Sequence, residues 1–137
     1  MITYRDDARL DAAAFIELYQ SCSLGARRPL DDPEIVVAMM AHGNLTMTAW
    51  DGDLVVGIAR TMTDFLYVGY LADLAVRETH QRQGLGVELI RQTRARMGPR
   101  AHLVLLAAPA AKAYYGPIGF KHMPDAWAVW GHEQIRT

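Results

Sequence analysis

Two short stretches of the chain hold residues whose types and spacing suit group-transfer chemistry. The first is Gln81-Arg82-Gln83-Gly84-Leu85-Gly86-Val87, which follows an apolar run and opens a helical pattern. Such a junction aims free backbone N–H groups at one point and adds the positive end of a helix dipole, which suits a phosphate-bearing ligand. Gly84 and Gly86 let the backbone approach that ligand closely, and Arg82 can add a charge-assisted bond. The third glycine of a dinucleotide fingerprint is missing, since Leu89 stands there, and no Gly-Lys-Ser/Thr occurs. Gly-x-Gly alone leaves a structural turn as open as an anion site. The second stretch is Ala111-Lys112-Ala113-Tyr114-Tyr115-Gly116-Pro117-Ile118-Gly119-Phe120. Adjacent tyrosines on a short helix point about 100° apart, so one can pack while the other faces a cleft. A phenol with a pKa of roughly 10 can protonate a departing thiolate. Taken alone, the pair reads more simply as packing.

The elements that must position these residues follow from the pattern along the chain. Ile2 to Arg5 alternates as a first strand. Asp11 caps a helix through about Cys22, with Ala14, Phe15, Leu18, Tyr19 and Cys22 on one apolar stripe. Ser21 to Leu30, with Arg27 and Arg28, is a loop. Asp32-Pro33-Glu34 starts a second helix that runs to about Ala41, because Asp accepts from orphan N–H groups and Pro needs no acceptor there. Leu45 to Trp50 and Leu54 to Thr63 flank Asp51-Gly52 as a hairpin. Tyr67 to Val76 is the central strand. Leu85, Leu89, Thr93 and Met97 give a third, amphipathic helix ended by Gly98-Pro99. His102 to Ala107 reads as a strand covered on both faces, Pro109 to Tyr115 as a short helix, and Phe120 to Met123 with Trp127 to Trp130 as a final hairpin. The order implies one domain, residues 1–137, built on a mixed α/β sheet with helices on its faces.

Composition excludes several classes. The 137 residues carry a formal net charge of −1, which gives no electrostatic footprint for nucleic acid. Cys22 is the one cysteine, so no internal disulfide forms, and no Cys/His cluster has metal-binding spacing. Cys22 falls on the apolar stripe of the first helix and reads as core, not as an acyl-carrying nucleophile. The amino terminus does not resemble a signal peptide, and the longest apolar run is far short of the ~20 residues that span a bilayer. A cytoplasmic protein with neither membrane nor nucleic-acid partner is the expectation.

Taken together, the two motifs resemble those of the GNAT family of N-acetyltransferases. Gln81-x-x-Gly84-x-Gly86 after the strand Leu71 to Val76 resembles the family's pyrophosphate loop, Gln/Arg-x-x-Gly-x-Gly/Ala. The Tyr115 to Phe120 segment is similar to its carboxy-terminal signature, in which a tyrosine stands four residues before Gly-Phe. The order of strands and helices agrees over essentially the whole chain. Many members carry an asparagine seven residues before the tyrosine, where this chain has Ala108, so one polar contact to the cofactor arm is absent.

The resemblance implies a six- to seven-stranded mixed sheet flanked by about four helices, acetyl-coenzyme A as cofactor and an amine as acceptor. It implies that the backbone of Leu74, Ala75 and Val76 pairs with the pantetheine arm, that Val76 N–H polarises the thioester carbonyl, and that Gln81 to Val87 holds the pyrophosphate. An amine attacks the acetyl carbon directly and Tyr115 protonates the leaving thiolate. Asp73 is the first candidate to deprotonate the amine, since it is an acid in an apolar run. A structural carboxylate bonded to the amides of a neighbouring loop is an equal reading. Asp64 and His80 are weaker candidates. Arg27, Arg28 and Asp64 fall in loops that border the acceptor site in this family, although the two arginines are more simply solvated. The apolar carboxy-terminal hairpin with Trp127 and Trp130 is consistent with a homodimer. The competing class is a non-catalytic acyl-coenzyme A binding or regulatory module.

Overall fold

A computed structural model describes residues 1–136. It divides into two compact units, Met1–Leu106 and Ala107–Thr137.

In the first unit the elements run β1 (Ile2–Arg5), α1 (Ala12–Gln20), α2 (Pro33–His42), β2 (Leu45–Asp51), β3 (Leu54–Thr63), β4 (Val68–Val76), α3 (Leu85–Met97) and β5 (His102–Val104). One five-stranded sheet has the order β1-β2-β3-β4-β5. The first four strands are antiparallel neighbours, and β5 joins β4 in parallel after the crossover through α3. The helix starts follow from their caps. Asp11 accepts from Ala14 N–H at 2.8 Å, and Asp32 accepts from Glu34 and Ile35 N–H ahead of Pro33. Gly52, at φ 61°, turns the β2–β3 hairpin as a glycine can.

Helices cover both faces of the sheet. On one, Phe15, Leu18 and Tyr19 of α1 and Val36 of α2 pack with Val55, Ile58 and Ala75. Burying a side chain the size of Phe15 or Leu18 contributes roughly 1.5–3 kcal/mol each. On the other, α3 buries Leu85, Leu89, Ile90, Thr93 and Met97. There a Cβ on Gly57 would meet Leu89 at 3.0 Å, and one on Gly69 would meet Met97 at 2.6 Å, so the helix sits close upon the strands.

The fold is the mixed α/β sheet expected, with five strands and three α-helices among the described residues. The difference lies after α3. The run His102 to Ala107 forms only three residues of strand, with His102 and Val104 exposed, and is not covered on both faces. In the second unit, Pro109–Ala111 is a single 3₁₀ turn followed by further turns, not a helix through Tyr115. Phe120 to Met123 and Trp127 to Trp130 are irregular and form no hairpin, with Trp127 94% and Trp130 61% exposed. Aromatic and β-branched composition favours strands only where a partner buries one face.

Candidate active site

The central feature is an edge of β4. Strand β5 pairs with it only across Val68, Gly69 and Tyr70. Beyond Tyr70, no strand lies on that side of β4 among the described residues, although β4 continues to Val76. The phase of the ladder on the other side fixes which groups face the open edge. Arg77 N–H donates to Val56 O at 2.8 Å, and the register pairs Val76 with Gly57 and Ala75 with Ile58. In an antiparallel pair the hydrogen-bonded positions alternate, so Arg77, Ala75 and Asp73 bond β3, whereas Val76 and Leu74 turn their N–H and C=O outward. Ala75, expected to pair with a cofactor arm, therefore spends its backbone on β3 and contributes a buried side chain instead.

A bulge precedes these residues. Thr61 pairs with Leu71 and Arg60 with Asp73, which leaves Ala72 as the extra residue. It changes the face to which the strand alternates. Gly69 lies under Met97 of α3, whereas Asp73 points to α1 on the other face.

Beyond β4 the chain passes through a 3₁₀ turn at Glu78–His80 and then reaches the start of α3 at Leu85. Gly84 is the N-cap at φ 85° and lends no side chain to the helix, so the first-turn N–H groups keep no capping partner. Arg82 also adopts a left-handed φ of 64°. Gln81, Arg82, Gln83 and Gly84 are exposed, Leu85 anchors the helix in the core, and Gly86 and Val87 are half-buried. Gln81 Nε2 donates to Val76 O at 2.9 Å, which ties the turn to the outward-facing end of β4. The outward N–H groups of Leu74 and Val76 and the uncapped first turn of α3 are thus left for a ligand, while Val76 O accepts from the Gln81 side chain and the exposed Arg82 supplies a cation.

Asp73 has a different setting from the one a base requires. Its side chain is fully buried, with Oδ1 accepting from Arg28 Nε and Oδ2 from both Tyr19 Oη and Arg60 Nε, each at 2.6 Å. Burial pushes the carboxyl pKa up, but the Tyr19 bond and the guanidinium groups of Arg60 and Arg28 outweigh it and hold the group below the usual carboxylate range. Burial and the Asp73 charge together drive the Tyr19 phenol far upward, so it stays protonated as the donor. Arg28 lies inside this cluster, whereas Arg27 is exposed. Tyr19 and Arg60 were invisible as partners of Asp73 in the sequence, where they stand 54 and 13 residues away.

Asp64 closes the β3–β4 turn. Its Oδ1 accepts from the N–H groups of Leu66, Tyr67 and Val68 at 2.8–3.1 Å, and those bonds hold its pKa down. His80 is half-buried and bridges Asp51 Oδ2 and Thr79 Oγ1, each at 2.8 Å. A cleft of about 590 Å³ also opens on the α1/α2 face, reaching Asn44, Thr46, Ile58 and Arg60.

In the second unit, Tyr115 packs edge-on against Tyr114 and Phe120, with ring centroids 5.1 and 5.4 Å apart. Phe120 N–H donates to Tyr115 O at 3.1 Å, closing the Tyr-Gly-Pro-Ile-Gly-Phe loop. Burial, then the neighbouring Tyr114, raises the Tyr115 pKa, so the phenol carries its proton at neutral pH.

A strand whose partner leaves it part-way, followed after a short turn by an uncapped helix start, offers backbone donors to an extended, anionic ligand. The chain belongs to the GNAT acetyltransferase family, whose domain model matches residues 31–131, a stretch that takes in parts of both units. No curated protein sequence matches it. Solved structures agree on the fold. A GNAT family acetyltransferase of Streptococcus pneumoniae TIGR4 superposes with a TM-score of 0.75 at 22% identity, over 98% of this chain and 100% of that one. An aminoglycoside acetyltransferase from an uncultured soil metagenomic sample, solved with trehalose, gives 0.68 at 20% identity over 98% and 97%. A GNAT family acetyltransferase of Brucella melitensis, solved in complex with acetyl-coenzyme A, gives 0.65 at 24% over 89% and 84%.

Proposed function

We propose that the protein transfers an acetyl group from acetyl-coenzyme A to a primary amine. The observation that carries this reading is the open edge of β4 running into the N-terminus of α3. An extended pantetheine arm carries amide groups of its own and can add to Leu74 and Val76 as a short strand, exchanging the Gln81 contact for its own donor at Val76 O. The diphosphate then meets the free N–H groups from Gly84 to Val87, with Arg82 adding a cation. The N–H of Val76 faces the thioester carbonyl and stabilises the oxyanion as the amine attacks. The bond from nitrogen to the acetyl carbon forms, the carbon–sulfur bond breaks, and Tyr115 gives its proton to the thiolate.

Asp73 is assigned a holding role. A carboxylate already accepting three short bonds and kept below its usual pKa is a poor acceptor for an ammonium proton. Water is left to carry that proton away. Trp127 and Trp130 support the homodimer reading, which sedimentation would test by giving twice the mass of one chain.

The test is thiol release from acetyl-coenzyme A with a panel of small amines, polyamines and amino acids. Acetylated product with at least one acceptor is expected. Tight coenzyme binding with no product from any acceptor would favour the non-catalytic module instead.

A further inference from the structure

The bulge in β4 sets Ala72 out of register with β3. Arg28 Nη2 donates to the carbonyl of this extra residue at 3.0 Å. The same guanidinium donates through Nε to Asp73 Oδ1 at 2.6 Å and through Nη1 to the carbonyl of Arg27 at 2.9 Å. Three acceptors in different directions fix a planar fork in a way that a single ammonium cannot. The other oxygen of Asp73 is held by Tyr19 and Arg60. The segment from Ala72 to Asp73 is thus fastened at its carbonyl and at its side chain, and the next backbone donor facing the open edge is Leu74 N–H.

We propose that Arg28 is a positioning residue for acyl transfer, which clamps the Ala72 carbonyl and the Asp73 carboxylate and so sets the direction of the edge that follows, where Leu74 meets the pantetheine arm and the Val76 N–H the thioester carbonyl. This rests on the open edge of β4 being the acetyl-coenzyme A site. It differs from a role in binding an acidic acceptor, because each nitrogen of the guanidinium already donates to a protein oxygen and only 25% of the side chain is exposed. Removing Arg28 leaves Asp73 paired with Arg60 and Tyr19, so the buried carboxylate keeps a counter-charge while the bulge loses its clamp.

The experiment compares the wild-type protein with Arg28→Ala and Arg28→Lys, using acetyl-coenzyme A labelled with carbon-13 at the carbonyl. Calorimetry measures its binding, infrared spectroscopy its carbonyl stretch when bound, and thermal melting checks the fold. In the wild type the band is expected below its position in free solution. In Arg28→Ala it returns toward the free position with coenzyme affinity unchanged, kcat falls roughly ten- to hundred-fold as expected for misaligned reacting groups, and added methylguanidinium restores both. Arg28→Lys shows the same changes to a lesser degree, and serves for the comparison if the alanine variant does not fold. An unmoved carbonyl band, or a loss confined to the KM of the acceptor, would overturn the proposal. Failure of the wild type to bind acetyl-coenzyme A would overturn the reading of β4 itself, and calorimetry on the wild type alone reveals it.

Discussion

At the scale of single residues, the decisive contrast is between two acids that sequence reasoning placed near one reaction. Asp73 is ionised and encircled by donors, whereas Tyr115 is protonated and surrounded by rings. Asp73→Asn would leave Arg28 and Arg60 buried around a neutral amide. Removing one partner of a buried ion pair costs about 3–5 kcal/mol, and denaturant unfolding should show a loss of that size. The pH dependence follows from the lowered pKa of Asp73 in the folded state. Its contribution to stability is fully present above the unfolded carboxyl value of roughly 4 and is lost as pH falls through the lower folded value. Unfolding free energy measured down the acid limb should therefore fall less steeply in Asp73→Asn than in the wild type. For Tyr115→Phe, acetyl-coenzyme A affinity should hold while kcat drops by ~10²-fold or more, the usual worth of a general acid. Unchanged turnover across pH would remove Tyr115 from the reaction.

At the scale of elements, what the sequence disclosed was mostly local. Asp11, Asp32-Pro33-Glu34, Asp51-Gly52 and Gly98 mark the helix ends and the hairpin, because caps and turns are settled by neighbours in the chain. The bulge at Ala72 was hidden, since an apolar run read as simple alternation gives no sign of where one residue steps out of register. Placing Asp73 on the strand was possible from the pattern, but its partners Tyr19, Arg28 and Arg60 come from α1, a loop and β3, and only the packed sheet brings them together. The ladder phase makes a further contrast testable. Val76→Pro removes an N–H that β3 does not use, so the fold should persist while thiol release is lost. Ala75→Pro removes a ladder donor from the middle of the sheet, and should lower the melting temperature sharply. At the α3 N-cap, Gly84→Ala forces a side chain into the left-handed region at φ 85°, with open space around it. About 1–2 kcal/mol of stability should go, and acetyl-coenzyme A should bind more weakly as the turn relaxes.

At the scale of the whole molecule, the mixed α/β class was legible because strands and helices alternate with clear caps, and the family resemblance rested on two short motifs that lie within residues 31–131, the stretch the family model matches. The strand count was not. Phe120 to Trp130 has the composition of a hairpin without forming one, since pairing depends on a partner edge that composition cannot supply. No helix among the described residues is long and apolar enough to cross a membrane. The acceptor is set by side chains that carry no local code, so the proposed function rests on the proposed cofactor end of the site, where Val76 and Gly84 are fixed by backbone geometry. The most direct test is therefore calorimetric titration of the wild-type protein with acetyl-coenzyme A, read beside thiol release when an amine is added. Saturable binding, weakened by Gly84→Ala, and amine-dependent release of thiol matched by acetylated product are expected. Absence of binding, or thiol release that no amine accelerates, would contradict the proposed function.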